Sequence, residues 1–220
     1  MTTLEAVVFD LDGGLIDSEQ VWDEVREQLA REREGRWHER AQADMMGMSS
    51  TEWSRYMHEV IGIVDPPEEI NAEVVRRMQA RYAEHLPLID GAVDAAKRLA
   101  QAFRLALASS SNRPLIAAVL SSTGMDALFE ATVSSEEVKR GKPAPDVFLE
   151  AARRLGVESG QCAAIEDSGN GIRAAHAAGM RVVAIPNRRY PPPAESLALA
   201  DAVLDSLADL TPAVVAEGAG

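Results

Sequence analysis

Cysteine is nearly absent from this 220-residue chain: Cys162 is its single thiol, so no disulfide can form within it. That excludes the small disulfide-stapled class, and a reducing, cytoplasmic setting is the default expectation. Positive charge is also scarce. Lys and Arg number 22 against 35 Asp and Glu, a formal net charge of −13, which disfavours non-specific binding to nucleic acid or an anionic membrane. No apolar run approaches the roughly 18 residues of a membrane span. The first nine residues carry no basic segment ahead of their apolar ones, so they do not read as a signal peptide.

What remains is ordinary for a folded protein. Apolar residues at 46% and charged residues at 26% exclude wholesale disorder. At roughly 150 residues per domain, the length fits one core with a sizeable insertion. Such a chain buries about 70% of the surface it exposes when unfolded, so it needs no metal or disulfide to fold.

The apolar pattern changes character twice. Residues 4–9 form a short apolar run that stops at Asp10, which reads as a buried strand. From about 19 to 84 the pattern is helical: Val21, Val25 and Leu29 recur every four residues, as do Ile70, Val74, Met78 and Tyr82. All three tryptophans (Trp22, Trp37, Trp53) fall in this segment, which marks it as a unit with its own packing. Strands and helices then alternate. Strands are expected at 104–108, 130–134, 162–165 and 181–185, and helices at 91–102, 113–122, 145–155 and 169–178. Asp90 is the expected cap of the first of these helices. Residues 202–204 read as an edge strand and 213–220 as frayed. Repeated strand–helix units predict an α/β fold: a Rossmann-like parallel sheet with helices on both faces, plus an inserted α-helical cap. The expected division is a core of 1–16 and 87–220 and a cap of 17–86.

In parallel α/β sheets, ligands bind outside the carboxyl ends of the strands. Here the first strand ends in Asp10-Leu11-Asp12-Gly13, the next in Ser109-Ser110-Ser111, and a later one in Glu166-Asp167-Ser168. Lys142 follows just after the strand at 130–134. Asp and Ser at strand ends also arise from turns and helix caps, so the set carries the argument rather than any member. Clustered carboxylates repel unless a cation neutralises them, and oxygen-only ligands suit Mg²⁺. A carboxylate held there can attack phosphorus, and a second one two residues on can move the leaving-group and water protons. Lysine and serine supply charge and donors to the phosphoryl oxygens.

Together these residues resemble the haloacid dehalogenase superfamily, in its β-phosphoglucomutase-like phosphatase branch. The resemblance runs through Phe9–Gly13, Leu105–Ser109, Gly141–Asp146 and Ile165–Ser168. It implies Asp10 as nucleophile and Asp12 as general acid/base. Asp10, the Asp12 carbonyl and Asp167 would hold Mg²⁺ with Glu166 beside them, while Ser109, Ser110 and Lys142 would take the phosphoryl group. Glu19, Trp22 and Ser50 are the cap residues expected to meet the substrate. The implied activity is a Mg²⁺-dependent phosphatase acting, as a monomer, on a small phosphorylated metabolite. A phosphosugar mutase is the alternative, disfavoured because Ser50 stands in the stretch where those mutases carry a cap arginine; Arg40 or Arg55 could substitute in space. Gly14, where the family usually has Thr, Val or Leu, is expected to loosen the turn after the nucleophile.

Overall fold

The computed structural model describes residues 3–217. Six parallel strands form its sheet: β1 (Ala6–Phe9), β2 (Arg104–Ser109), β3 (Phe129–Ser134), β4 (Cys162–Glu166), β5 (Arg181–Ala184) and the short β6 (Ala202–Val203). Their order is β3-β2-β1-β4-β5-β6, so the winding reverses between β1 and β4. At such a switch point the following loops turn to opposite faces and leave a crevice. Asp10 stands just past β1, and Glu166 ends β4.

Between β1 and β2 the chain forms α1 (Glu19–Glu32), α2 (Ala41–Met45), α3 (Ser50–Glu59), α4 (Pro67–Glu84) and α5 (Ala92–Ala100). The first four make the helical insertion, and α5 packs on the sheet. After β2 come α6 (Arg113–Thr123), α7 (Asp146–Leu155), α8 (Gly169–Ala177), α9 (Ala194–Leu197) and α10 (Pro212–Ala216).

Alternation along the strands explains how the layers fit. Ala6 and Val8 of β1, Ala106 and Ala108 of β2, and Ala164 of β4 face one side, where α7 and α8 pack. Val7, Phe9, Leu105, Leu107 and Ile165 face the other, against α5, α6 and α10. The alanine side lets α7 and α8 approach closely. The larger side continues through Leu11, Leu15 and Ile16 into Trp22, Trp53, Met57 and Met78, so the insertion shares one apolar core with the sheet.

Two linkers join the insertion to the sheet, and they run side by side. Ile16 bridges Leu88, the Asp17 amide donates to the Pro87 carbonyl at 2.8 Å, and the Ile89 amide donates to the Leu15 carbonyl at 3.0 Å.

Three expectations are corrected. The helix after the second linker begins one residue later than Asp90 implied: Gly91, at φ 81°, is its N-cap, and Asp90 is exposed. The C-terminal stretch is not frayed throughout, because the Thr211 hydroxyl caps α10 and Val215 is fully buried; residues 218–220 lie outside the described part. On α1 the buried stripe is Trp22, Val25, Arg26 and Leu29, with Val21 only partly covered.

Leu99 of α5 is fully buried in the larger core, remote from the strand ends. Leu99→Ala should lower stability by about 2–5 kcal/mol, read as a lower urea midpoint, with turnover per folded molecule unchanged.

Candidate active site

Four side chains from three strand ends meet at the switch point. Lys142 Nζ donates to Asp10 Oδ1 at 2.5 Å, to Glu166 Oε1 at 2.6 Å and to the Ala108 carbonyl at 3.2 Å. Phe148 of α7 lies beneath the ammonium, its ring centre 4.9 Å away. The other oxygen of Glu166 accepts from the Asp167 and Ser168 amides and from the Ser168 hydroxyl. Burial alone would depress the Lys142 ammonium, but Asp10 and Glu166 outweigh it and hold its pKa above the ordinary value. Burial raises the carboxyl of Asp10, and repulsion from Glu166 and Asp12 adds to that against the pull of Lys142. Asp167 is raised in the same way, by burial and then by Glu166 and Asp10.

The donor set fits a divalent cation. Asp10, Glu166 and Asp167 each offer an oxygen, all within 4.8 Å of one another. Asp167 Oδ1 is buried without a hydrogen-bond partner, an arrangement that costs energy unless something positive meets it. Three carboxylates face one ammonium here, and all are oxygen ligands of the kind Mg²⁺ takes. Backbone geometry keeps the space tight. Gly13 lies at φ 91°, and a Cβ there would stand 1.9 Å from Asp167 Oδ2. Gly14 is not simply a gap in this turn: in the backbone conformation seen here a Cβ would come within 2.3 Å of the Asp10 carbonyl oxygen, so a side chain would require the turn to shift.

Asp12 turns away from the cluster toward the insertion. Its Oδ1 accepts from the Ser18 hydroxyl at 2.5 Å and from Trp22 Nε1 at 3.1 Å. Its Oδ2 accepts from the Ser111 hydroxyl at 2.6 Å and from that of Ser109 at 3.3 Å. Any metal-ligand role for Asp12 therefore rests on its carbonyl. Ser109 is fully buried and its hydroxyl serves Asp12 and the Ser111 amide, whereas Ser110 and Ser111 line the cavity. Ser111 was not anticipated, although it completes the serine run.

A cavity of about 50 Å³ opens above these groups, walled on the sheet side by Asp10, Asp12, Lys142 and Ser168 and on the insertion side by Glu19, Trp22 and Arg26. Glu19 and Trp22 thus stand where expected. Ser50 does not: it donates to Glu136 Oε1 at 3.0 Å, and Asn112 Nδ2 donates to the same oxygen at 2.8 Å and to Asn71 Oδ1 at 3.1 Å. Ser50 is thereby part of the seam between insertion and sheet. Its seam partners are Ser110, which donates to the Gly47 carbonyl at 3.3 Å, and Asn170, which donates to that of Met46 at 3.1 Å.

The largest omission from the sequence reading is Arg26. Neither Arg40 nor Arg55 reaches the cavity lining; both are exposed. Arg26 is 5% exposed and its guanidinium sits against both the Trp22 and Trp53 rings, 4.4 and 4.7 Å from their centres, where those rings meet edge-on. Burial lowers its pKa to about 10, so it is charged at neutral pH. The available signal was spacing: Arg26 falls four residues after Trp22, on the face that α1 buries.

A sequence model of the haloacid dehalogenase-like hydrolase family matches residues 4–179, and the chain belongs to that family. Its fold is that of the β-phosphoglucomutase-like branch. It is a phosphoric monoester hydrolase of this type, similar to proteins named as phosphatases. Hexitol phosphatase B of Escherichia coli (strain K12) is 33% identical, over 94% of this chain and 94% of that protein. The bifunctional riboflavin kinase/FMN phosphatase of Arabidopsis thaliana is 32% identical over 93% of this chain, which spans about half (54%) of that longer protein. The structure of CbbY from Rhodobacter sphaeroides in complex with phosphate superposes with a TM-score of 0.85 at 28% identity, covering 97% of this chain and 99% of that one. No described helix is long and apolar enough to cross a membrane.

Burial, then repulsion from Asp12, pushes the Glu19 carboxyl up to about 7 against the pull of Arg26 and a hydrogen bond from Gln42. A raised carboxyl binds its proton more tightly when folded, so its contribution is intact below the unfolded pKa and is lost as pH rises toward 7. Glu19→Gln should therefore gain stability on the wild type between pH 5 and pH 8, on the order of 1–2 kcal/mol after allowing for partial exposure. Urea unfolding of both proteins at the two pH values measures this.

Proposed function

We propose that the chain hydrolyses a small phosphate monoester, a sugar phosphate or similar metabolite, through an aspartyl-phosphate on Asp10. The observation that carries this reading is the meeting of Asp10, Lys142, Glu166 and the unpartnered Asp167 oxygen at the switch point of the sheet. The phosphatase names of the relatives support it.

Asp10 attacks phosphorus, the ester P–O bond breaks, and the leaving oxygen takes a proton from Asp12. Asp12, now a carboxylate, takes a proton from water as that water attacks the acyl phosphate, releasing phosphate and restoring Asp10. Four donors, from Ser18, Trp22, Ser109 and Ser111, fix Asp12 as the carboxylate that the second step uses as base; to act as the acid it takes up a proton and releases one of these donors. Lys142 supplies fixed positive charge to the phosphoryl oxygens, and Ser110 and Ser111 supply donors. Asp10, Asp167 and the Asp12 carbonyl, with Glu166 adjacent, would hold Mg²⁺, which would supply the remaining neutralisation of carboxylates and phosphoryl group. Residues 17–86 act as a cap that opens at the paired linkers to admit substrate and closes to exclude water.

Phosphate release across a panel of small phosphomonoesters, with Mg²⁺ and with EDTA, tests this. The expected result is metal-dependent release, lost in Asp10→Asn and reduced about 10²–10³-fold in Lys142→Met. Release that survives Asp10→Asn would overturn the reading. Conversion of glucose 1-phosphate to its 6-isomer without release would replace it with the mutase.

A further inference from the structure

Arg26 is a buried cation that makes no direct ion pair, although the Glu19 and Asp12 carboxylates act on it at longer range. Its Nη1 has one long bond, 3.3 Å to Gln42 Oε1, and its Nε has no partner. The nearby carboxylate of Glu19 is engaged instead by Gln42 Nε2 at 2.8 Å. Lys142, equally buried, is paired twice. A guanidinium out of water with unfilled donors is costly unless an anion completes it. Two indoles inclined at 60° to each other flank it, and its planar fork can bind an oxyanion through two parallel N–H bonds. It lines the same small cavity as Asp10 and Lys142.

We propose that Arg26 reads a second oxyanion, a carboxylate or a further phosphate, carried on the carbon skeleton of the phosphate monoester, so that the substrate is anionic at both ends. This rests on the hydrolase reading for the position of the phosphoryl group. The overall charge of the chain does not attract such a dianion; Arg26 and Lys142, both lining the cavity, supply the local field.

The test compares matched ligands that differ at the distal end. Calorimetry with the Asp10→Asn protein and Mg²⁺ measures 2-phosphoglycolate against 2-hydroxyethyl phosphate, and fructose 1,6-bisphosphate against fructose 1-phosphate. The anionic partner of at least one pair should bind about 10- to 100-fold more tightly. Which pair shows the preference identifies the oxyanion. Adding Arg26→Met should bring that ratio near one, and Arg26→Lys should leave it intermediate, since the charge remains but the fork is lost. Replacing a buried cation by an apolar side chain is often tolerated, and thermal unfolding checks that both variants are folded. Ratios near one with Arg26 intact, or a ratio that persists in Arg26→Met, would overturn the proposal. A preference in binding with no phosphate released from any ester by the wild type would leave it standing and remove the hydrolase reading. Release from all esters without preference would do the reverse.

Discussion

The ammonium of Lys142 between Asp10 and Glu166 is the contact on which the rest of the structure depends. Buried charges are tolerated only when paired and hydrogen-bonded, and this one is assembled from residues 132 and 24 positions apart in sequence. The parallel order of β2, β1 and β4 brings them together. The alanines on one side of the sheet admit α7, whose Phe148 closes the floor under the ammonium. Because one cation faces three carboxylates, the cluster stays short of positive charge, and Asp167 keeps an oxygen unmet. That imbalance is what a bound cation would offset.

Asp12 is the point where three parts of the molecule are tied together. Ser18 belongs to the first linker, Trp22 to the insertion, and Ser109 and Ser111 to the end of β2. The carboxylate proposed to move protons is thereby held by groups on both sides of the seam. Glu136 makes a comparable junction outside the cavity, accepting from Ser50 on one side and Asn112 on the other.

Most of the sheet and its rim was legible because the governing rules are local. An apolar run ended by Asp10, or Leu105–Ala108 ended by Ser109, announces a buried strand and the residue at its carboxyl end. The parallel topology then puts those residues on one rim. The insertion was harder. Helical period identified its elements, but choosing which residues of α1 face inward requires knowing what α1 packs against. Val21, on the expected apolar stripe, is only partly covered, while Arg26, which the periodic pattern does not single out, is buried. Ser50 was expected in the cavity because it lies near the motif where mutases place an arginine; a partner 86 residues away turned it elsewhere. Gly14 misled in another way. A missing side chain suggested looseness, whereas the Asp10 carbonyl occupies the place a Cβ would need.

The side-by-side linkers have a consequence for how such proteins diversify. Since the chain leaves and re-enters the sheet at hydrogen-bonded neighbours, Ile16 and Leu88, the intervening segment could be exchanged for another of different length without stretching the catalytic half. Grafting would be limited by surface rather than by reach. The replacement must present apolar groups to Leu11, Leu15 and Ile16, which this insertion covers as part of a single continuous interior.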